Sequence, residues 1–227
     1  KGSNNVELKP YILSGGSDFH DTWLKDTAME IPGEFIEVND WSGMNKIGLD
    51  VKYGLSSNTI LDFTLNPDFG QIEADPASIN LTAYETYYME KRLFFMENST
   101  MFDTPIEIFY SRRIGENNAL IKGAGKLTGK TDSGWSYGMI SATTTDDTTG
   151  SWLDRMQSGS NNHYLTGRLI KDFLSGNTYA GLMSTYSNNE SGSQTIVSLD
   201  AVSNLLDNQI NIDWQTIAAI TDGNTTT

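Results

Sequence analysis

The sequence predicts an all-β fold, an antiparallel meander of long strands. Three observations carry that expectation. First, apolar and polar residues alternate with period two. In 46–53, Ile47, Leu49, Val51 and Tyr53 share one face, and Lys46, Gly48, Asp50 and Lys52 share the other. Second, the alternating runs of the second half reach 11–13 residues, whereas ordinary globular strands average about 5–6. Third, the composition is rich in small polar residues: 22 Ser, 24 Thr and 19 Asn among 227 residues, with 21 Gly, 11% aromatics and only 5 Pro. Helical bundles draw on Ala, Leu, Glu and Lys instead.

Taken in order, 6–13 reads as a strand, and 14–45 as an acidic, loop-like stretch carrying Trp23 and Trp41. Strand 46–53 is joined to 59–66 by Gly54-Leu55-Ser56-Ser57-Asn58, a hairpin connection. In 59–66, Leu61, Phe63 and Leu65 oppose Asp62, Thr64 and Asn66. Residues 67–105 interrupt the meander with charges, aromatics and a short helical stretch around 77–88; an insertion of that length serves as a plug, lid or binding segment. A further strand is expected at 106–113. Then come 119–131 and 134–145 around Asp132-Ser133-Gly134, 162–173 and 177–187 around Leu174-Ser175-Gly176, and 194–206 and 209–221 around Asp207-Asn208, ten candidate strands in total.

Short turns at 132–134, 174–176 and 207–208 alternate with the longer polar connections 146–161 and 188–193. Long strands with that asymmetry match an outer-membrane barrel, whose tilted strands need roughly 9–11 residues to cross the bilayer. The expectation is a partial barrel over 1–227, a fragment of a native protein continuing beyond both ends, with 67–105 inserted into or over the lumen. Trp135 and Trp214 would then belong to an interfacial aromatic girdle. Soluble barrels and sandwiches also use long antiparallel strands, and the weak patterning of 119–131 keeps that alternative open.

Charge and composition exclude several classes. Basic residues number 15 against 29 acidic, a formal charge of -14, which offers no electrostatic footprint for nucleic acid. The longest apolar runs, such as Leu93-Phe94-Phe95-Met96, are four residues long, far short of the roughly 20 of a membrane-spanning helix. With no Cys, disulfides, thiolate catalysis and Cys-based metal sites are ruled out. His20 and His163 stand far apart, and no Gly-x-Ser-x-Gly elbow, phosphate-binding loop or His-Glu-x-x-His occurs.

The densest group of chemically active side chains is Asn66–Pro76, where Asp68, Glu73 and Asp75 lie within eight residues between two prolines. Clustered carboxylates suit a hard cation, and a calcium ion near Asp68, Glu73 and Asp75 is one reading. The spacing lacks the regular Asp-x-Asp-x-Asp-Gly of a calcium loop, which favours a rigid turn paired with the basic residues that follow. Those are Lys91 and Arg92, then Arg112 and Arg113. Inside a barrel, Asp68, Glu73, Asp75, Glu90, Arg92, Glu97, Arg112 and Arg113 would form a lumenal network, either a polar ligand site or an ionic plug. Glu73 and Glu97 are candidates for a glycosidase carboxylate pair, though nothing in the sequence sets them opposite one another.

Asn66–Asn98, NPDFGQIEADPASINLTAYETYYMEKRLFFMEN, resembles the bacterial family classed as domain of unknown function 5916, common in Bacteroidetes and other Gram-negative bacteria. Its members read NPDFGQVEADP, an NLTAFET-like stretch, FFPEKRPFF and an FYSRRIG-like motif. Asn66–Pro76, Asn80–Thr86, Glu90–Phe95 and Phe109–Gly115 match in order and spacing, and Lys126–Thr131 is similar too. Met89 and Leu93 stand where the family has prolines. The likeness runs over essentially the whole chain. It implies an outer-membrane barrel region following a carbohydrate-binding domain similar to family 9 modules, and it implies no catalytic residue here. The functional expectation is an outer-membrane component in contact with lipid, with a non-catalytic role in glycan binding, uptake or envelope organisation. The alternatives are a carbohydrate-active hydrolase and a soluble all-β carbohydrate-binding module.

Overall fold

The computed structural model describes residues 5–13, 46–67, 86–116, 119–146, 152–159, 161–173, 178–189, 192–206 and 209–223. Among them the chain forms one nine-stranded sheet: β1 (Val6–Leu13), β2 (Lys46–Ser56), β3 (Thr59–Leu65), β4 (Leu120–Lys130), β5 (Trp135–Thr145), β6 (Asn162–Phe173), β7 (Thr178–Asn189), β8 (Gly192–Leu205) and β9 (Ile210–Gly223). Each strand pairs antiparallel with the next, in the order β1 to β9. The fold is therefore the predicted all-β meander, open between β1 and β9. Pro10 lies in β1, an outer strand, where a missing N–H is tolerated.

One expected strand is absent. Residues 106–113 form an irregular segment ending in a 3-10 turn at Ser111–Arg113. The Ile106 N–H is bonded to the Gln215 side chain at 2.5 Å, and Arg113 N–H closes the turn on the Tyr110 carbonyl. Side-chain capture and a local turn thus take the groups a ladder would need. Most of the expected helix at 77–88 lies outside the described residues, as does 14–45; residues 86–88 are not helical. Two short helices, α1 (Leu93–Met96) and α2 (Trp152–Gln157), complete the fold with a 3-10 turn at Ser99–Phe102.

The two faces of the sheet are sharply different. Register puts Leu61, Leu127, Met139, Val197 and Ala218 in one cross-strand row, and Tyr137, Leu169, Leu182 and Leu199 in the next. Many side chains of this outer face are exposed, among them Phe63, Leu182 at 44% and Leu199 at 50%. The opposite, inner face carries Asp62, Thr64, Lys126, Thr166, Arg168, Ser198 and Asp200, all buried. Among the described residues, 13 buried polar or charged side chains outnumber 9 buried apolar ones.

Among the described residues, the segment 86–116 packs on the inner face. Its Phe95, Phe102 and Ile114 share a core with Ile121 and Ala124 of β4, Ile140 and Ala142 of β5 and Met183 of β7. Each such aromatic or aliphatic burial is worth about 1.5–3 kcal/mol, enough to hold an irregular segment against the sheet. Gly138 makes the close approach possible. A Cβ there would stand 2.7 Å from Met101 Cγ and 2.9 Å from Phe102 Cζ, so the 3-10 turn lies directly on bare β5 backbone.

Candidate functional site

Among the described residues, three polar clusters and a cavity stand out on the inner side. The first sits within the inserted segment. Glu90 Oε1 accepts hydrogen bonds from Arg92 N at 2.9 Å and Nε at 2.8 Å, and Oε2 accepts from Arg92 Nη2 and Ser111 Oγ, both at 2.7 Å. The guanidinium also donates to the carbonyls of Ile114 at 2.5 Å and Ser111 at 2.8 Å, and lies 4.4 Å from the Phe95 ring centre. Arg92 thereby ties the start of α1 and the 3-10 turn at Ser111–Arg113, 19 to 22 residues along the chain, into one unit.

Burial pushes the Glu90 carboxyl up, but the bonds and charge of Arg92, with the Ser111 hydroxyl, outweigh it and hold the group below its ordinary value. A carboxylate with a depressed folded pKa stabilises the protein fully above its unfolded pKa, and that contribution disappears as pH falls through the folded value. Glu90→Gln is therefore expected to cost about 2 kcal/mol near neutrality. Denaturant titrations of both proteins should converge in acid below the ordinary carboxylate range; a pH-independent difference would overturn the assignment.

The second cluster pins the segment to the sheet. Lys126, on β4, is 1% exposed; its Nζ donates to the Phe94 carbonyl and, at 2.8 Å, to that of Glu97. Its ammonium thus caps the carbonyl end of α1. Asp62 Oδ2 lies 3.6 Å from Lys126 Nζ, and Lys52 Nζ lies 4.0 Å from Asp62 and 2.5 Å from Glu97. On the far side, Gln215 of β9 receives the Ile106 N–H and donates to its carbonyl at 3.1 Å.

The third cluster is a fully buried ion pair between strands. Arg168 of β6 donates through Nη1 and Nη2 to the two carboxylate oxygens of Asp200 on β8, at 2.5 and 2.7 Å. The intervening β7 supplies Gly181, where a Cβ would meet Arg168 Nη2 at 2.8 Å and Asp200 Oδ1 at 2.9 Å.

The cavity, about 730 Å³, lies between 107–116 and the strands β6 to β9. The sheet contributes Tyr164, Thr166, Thr185 and Gln194, and the segment contributes Tyr110, Arg113 and Glu116.

Of the sequence-predicted site residues, Glu90 and Arg92 are joined directly, Glu97 pairs with Lys52, Arg113 lines the cavity, and Arg112 is half-buried in the same 3-10 turn. Asp68, Glu73 and Asp75, with the calcium reading attached to them, lie outside the described residues. Among the described residues no cluster of His, Asp and Glu has the arrangement of a metal site. Glu97, named as one half of a hydrolase pair, is engaged by Lys52, and its partner Glu73 is not described. Sequence reasoning left out Lys126, Arg168 and Asp200. The available signal was parity: each charge sits next to an apolar residue of the outer face, Leu127 beside Lys126, Leu169 beside Arg168 and Leu199 beside Asp200.

The family profile of the domain of unknown function DUF5916 matches residues 34–166, more than half of the chain. The chain belongs to this family. The DUF5916 match covers β2 to β5 and the inserted segment and ends inside β6, so β7 to β9 and Asp200 lie beyond it. No curated protein and no solved structure matches the chain.

Proposed function

We propose that this DUF5916 chain forms part of an outer-membrane β-barrel, with 86–116 filling the lumen and a non-catalytic role in glycan binding or uptake at the envelope. The observation that carries the reading is the inversion of the sheet, apolar side chains outward and charges inward. In water, that arrangement exposes large apolar area at a cost; in lipid it is the favourable one. Outward positions of β9 run from Ile210 through Ile212, Trp214 and Ala218 to Ile220, eleven residues. At the usual barrel tilt that is about 25 Å of height, the thickness of an outer-membrane apolar band.

Trp135 and Trp214 add support. Both are outward and exposed, and they share one cross-strand row, Trp135, Lys171, Ala180, Ala201, Trp214, near the short turns. Aromatics at one level suit an interfacial girdle. No helix among the described residues is long and apolar enough to cross a membrane, so any crossing falls to the strands. The glycan role rests on the cavity lining, in which tyrosines, amides and hydroxyls outnumber charges.

Fractionation of the native host tests the barrel. The protein is expected in the outer-membrane fraction, resistant to high salt and carbonate, released by detergent, and slower on gels after boiling. Release by carbonate alone would overturn it.

A further inference from the structure

We propose that the cavity between 107–116 and β6 to β9 is the ligand site, and that it takes a short neutral or amino-sugar oligosaccharide and rejects acidic ones. This rests on the glycan role proposed above and names its site and selectivity. Tyr87 is stacked on Tyr110, with ring centres 4.9 Å apart and planes at 28°. The stack covers one face of Tyr87, yet the residue is 61% exposed, so its other face is left uncovered at the cavity it lines. A ring held at one face and open at the other is a platform for the C–H face of a sugar.

Tyr110 is fixed in turn: its hydroxyl donates to the Tyr88 carbonyl at 2.9 Å and accepts from Tyr88 N–H at 3.0 Å. The platform is therefore preorganised, which lowers the ordering cost of binding. Around it stand hydrogen-bonding groups suited to hydroxyls. Glu107 and Glu116 offer carboxylate acceptors, Gln194 offers both donor and acceptor, and Thr166 and Thr185 offer hydroxyls. Glu107 already receives the Tyr87 hydroxyl at 3.3 Å, which couples platform and acceptor.

Charge sets the selectivity. The lining holds three carboxylates, Glu107 and Glu116 from the segment and Asp222 from β9, against one guanidinium, Arg113, in a chain of net charge -14. A uronate would meet repulsion, and a phosphate would find a single cation where recognition usually recruits several. A volume near 730 Å³ falls in the range of ordinary ligand pockets, about 300–1,000 Å³.

Titration calorimetry on the full-length protein in detergent tests the site, with cellotriose, maltotriose and triacetylchitotriose as neutral probes and trigalacturonate as the acidic one. At least one neutral trisaccharide is expected to saturate below about 10 mM, and the uronate to bind at least about tenfold more weakly. Tyr87→Ala should weaken the neutral ligand about tenfold, and Gln194→Ala, on a different element, by several-fold. Heat-modifiable migration unchanged from the parent establishes that each variant is folded. The site is overturned if no neutral probe saturates, if trigalacturonate binds equally well, or if both folded variants bind like the parent. Absence of binding by protein retained in the outer membrane sinks the site and leaves the barrel standing. Intact, Tyr87-dependent binding by protein that carbonate releases sinks the barrel and supports the site.

Discussion

Leu182→Arg is expected to destabilise the protein in lipid vesicles by about 2–4 kcal/mol, the cost of a cation near the middle of a barrel's lipid-facing band. Leu182 is 44% exposed in the isolated chain and lies in the outer row with Tyr137, Leu169 and Leu199. The same position facing water would tolerate arginine within about 0.5 kcal/mol, because exposed substitutions away from special features have small effects. Denaturant unfolding in vesicles therefore separates the two solvents for this face. A loss near zero would put the outer face in water. Met183→Arg, one residue along and fully buried on the inner face, should be costly in either setting and shows that the assay resolves a destabilised fold.

Asp200→Ala should cost about 3–5 kcal/mol, because it leaves the Arg168 guanidinium buried without its partner. Both side chains are entirely inaccessible, and Arg168 Nε has no hydrogen-bond partner among the described residues, so no spare acceptor is at hand to absorb the charge. Replacing both residues, Arg168→Met with Asp200→Leu, should recover most of the loss, since an apolar pair of similar volume removes the desolvation penalty along with the attraction. The cycle isolates the pair. A single-mutant cost under about 1 kcal/mol would mean that water reaches the site and that the pair is not a structural lock.

How much of this was legible beforehand differs between elements. In β3 the alternation of Leu61, Phe63 and Leu65 with Asp62 and Thr64 named both the strand and its two faces. The strand expected at 106–113 did not form, because the adjacent Ile108 and Phe109 both pack against the core and Gln215, over a hundred residues away, takes the Ile106 backbone. Periodicity reports which side a residue presents, and it reports pairing only when a neighbouring strand is present to complete the ladder. For the polar site, the sequence put Glu90 and Arg92 in one network without naming them as partners of each other, and Lys126, which enters from a separate strand, was not in it.

The sequence by itself determined the class of fold, the long strands and, in clearly alternating strands such as β3, the polarity of the two faces, because all of these follow from local alternation. Which charge meets which was decided only by tertiary structure. Arg168 and Asp200 are 32 residues apart and lie on strands separated by a third, so their meeting depends on the register of two ladders and on a glycine between them. The inserted segment likewise finds its place through Lys126 and Gln215, side chains of strands distant in sequence. A shift of one residue in any of those registers would turn the same charges to the outer face.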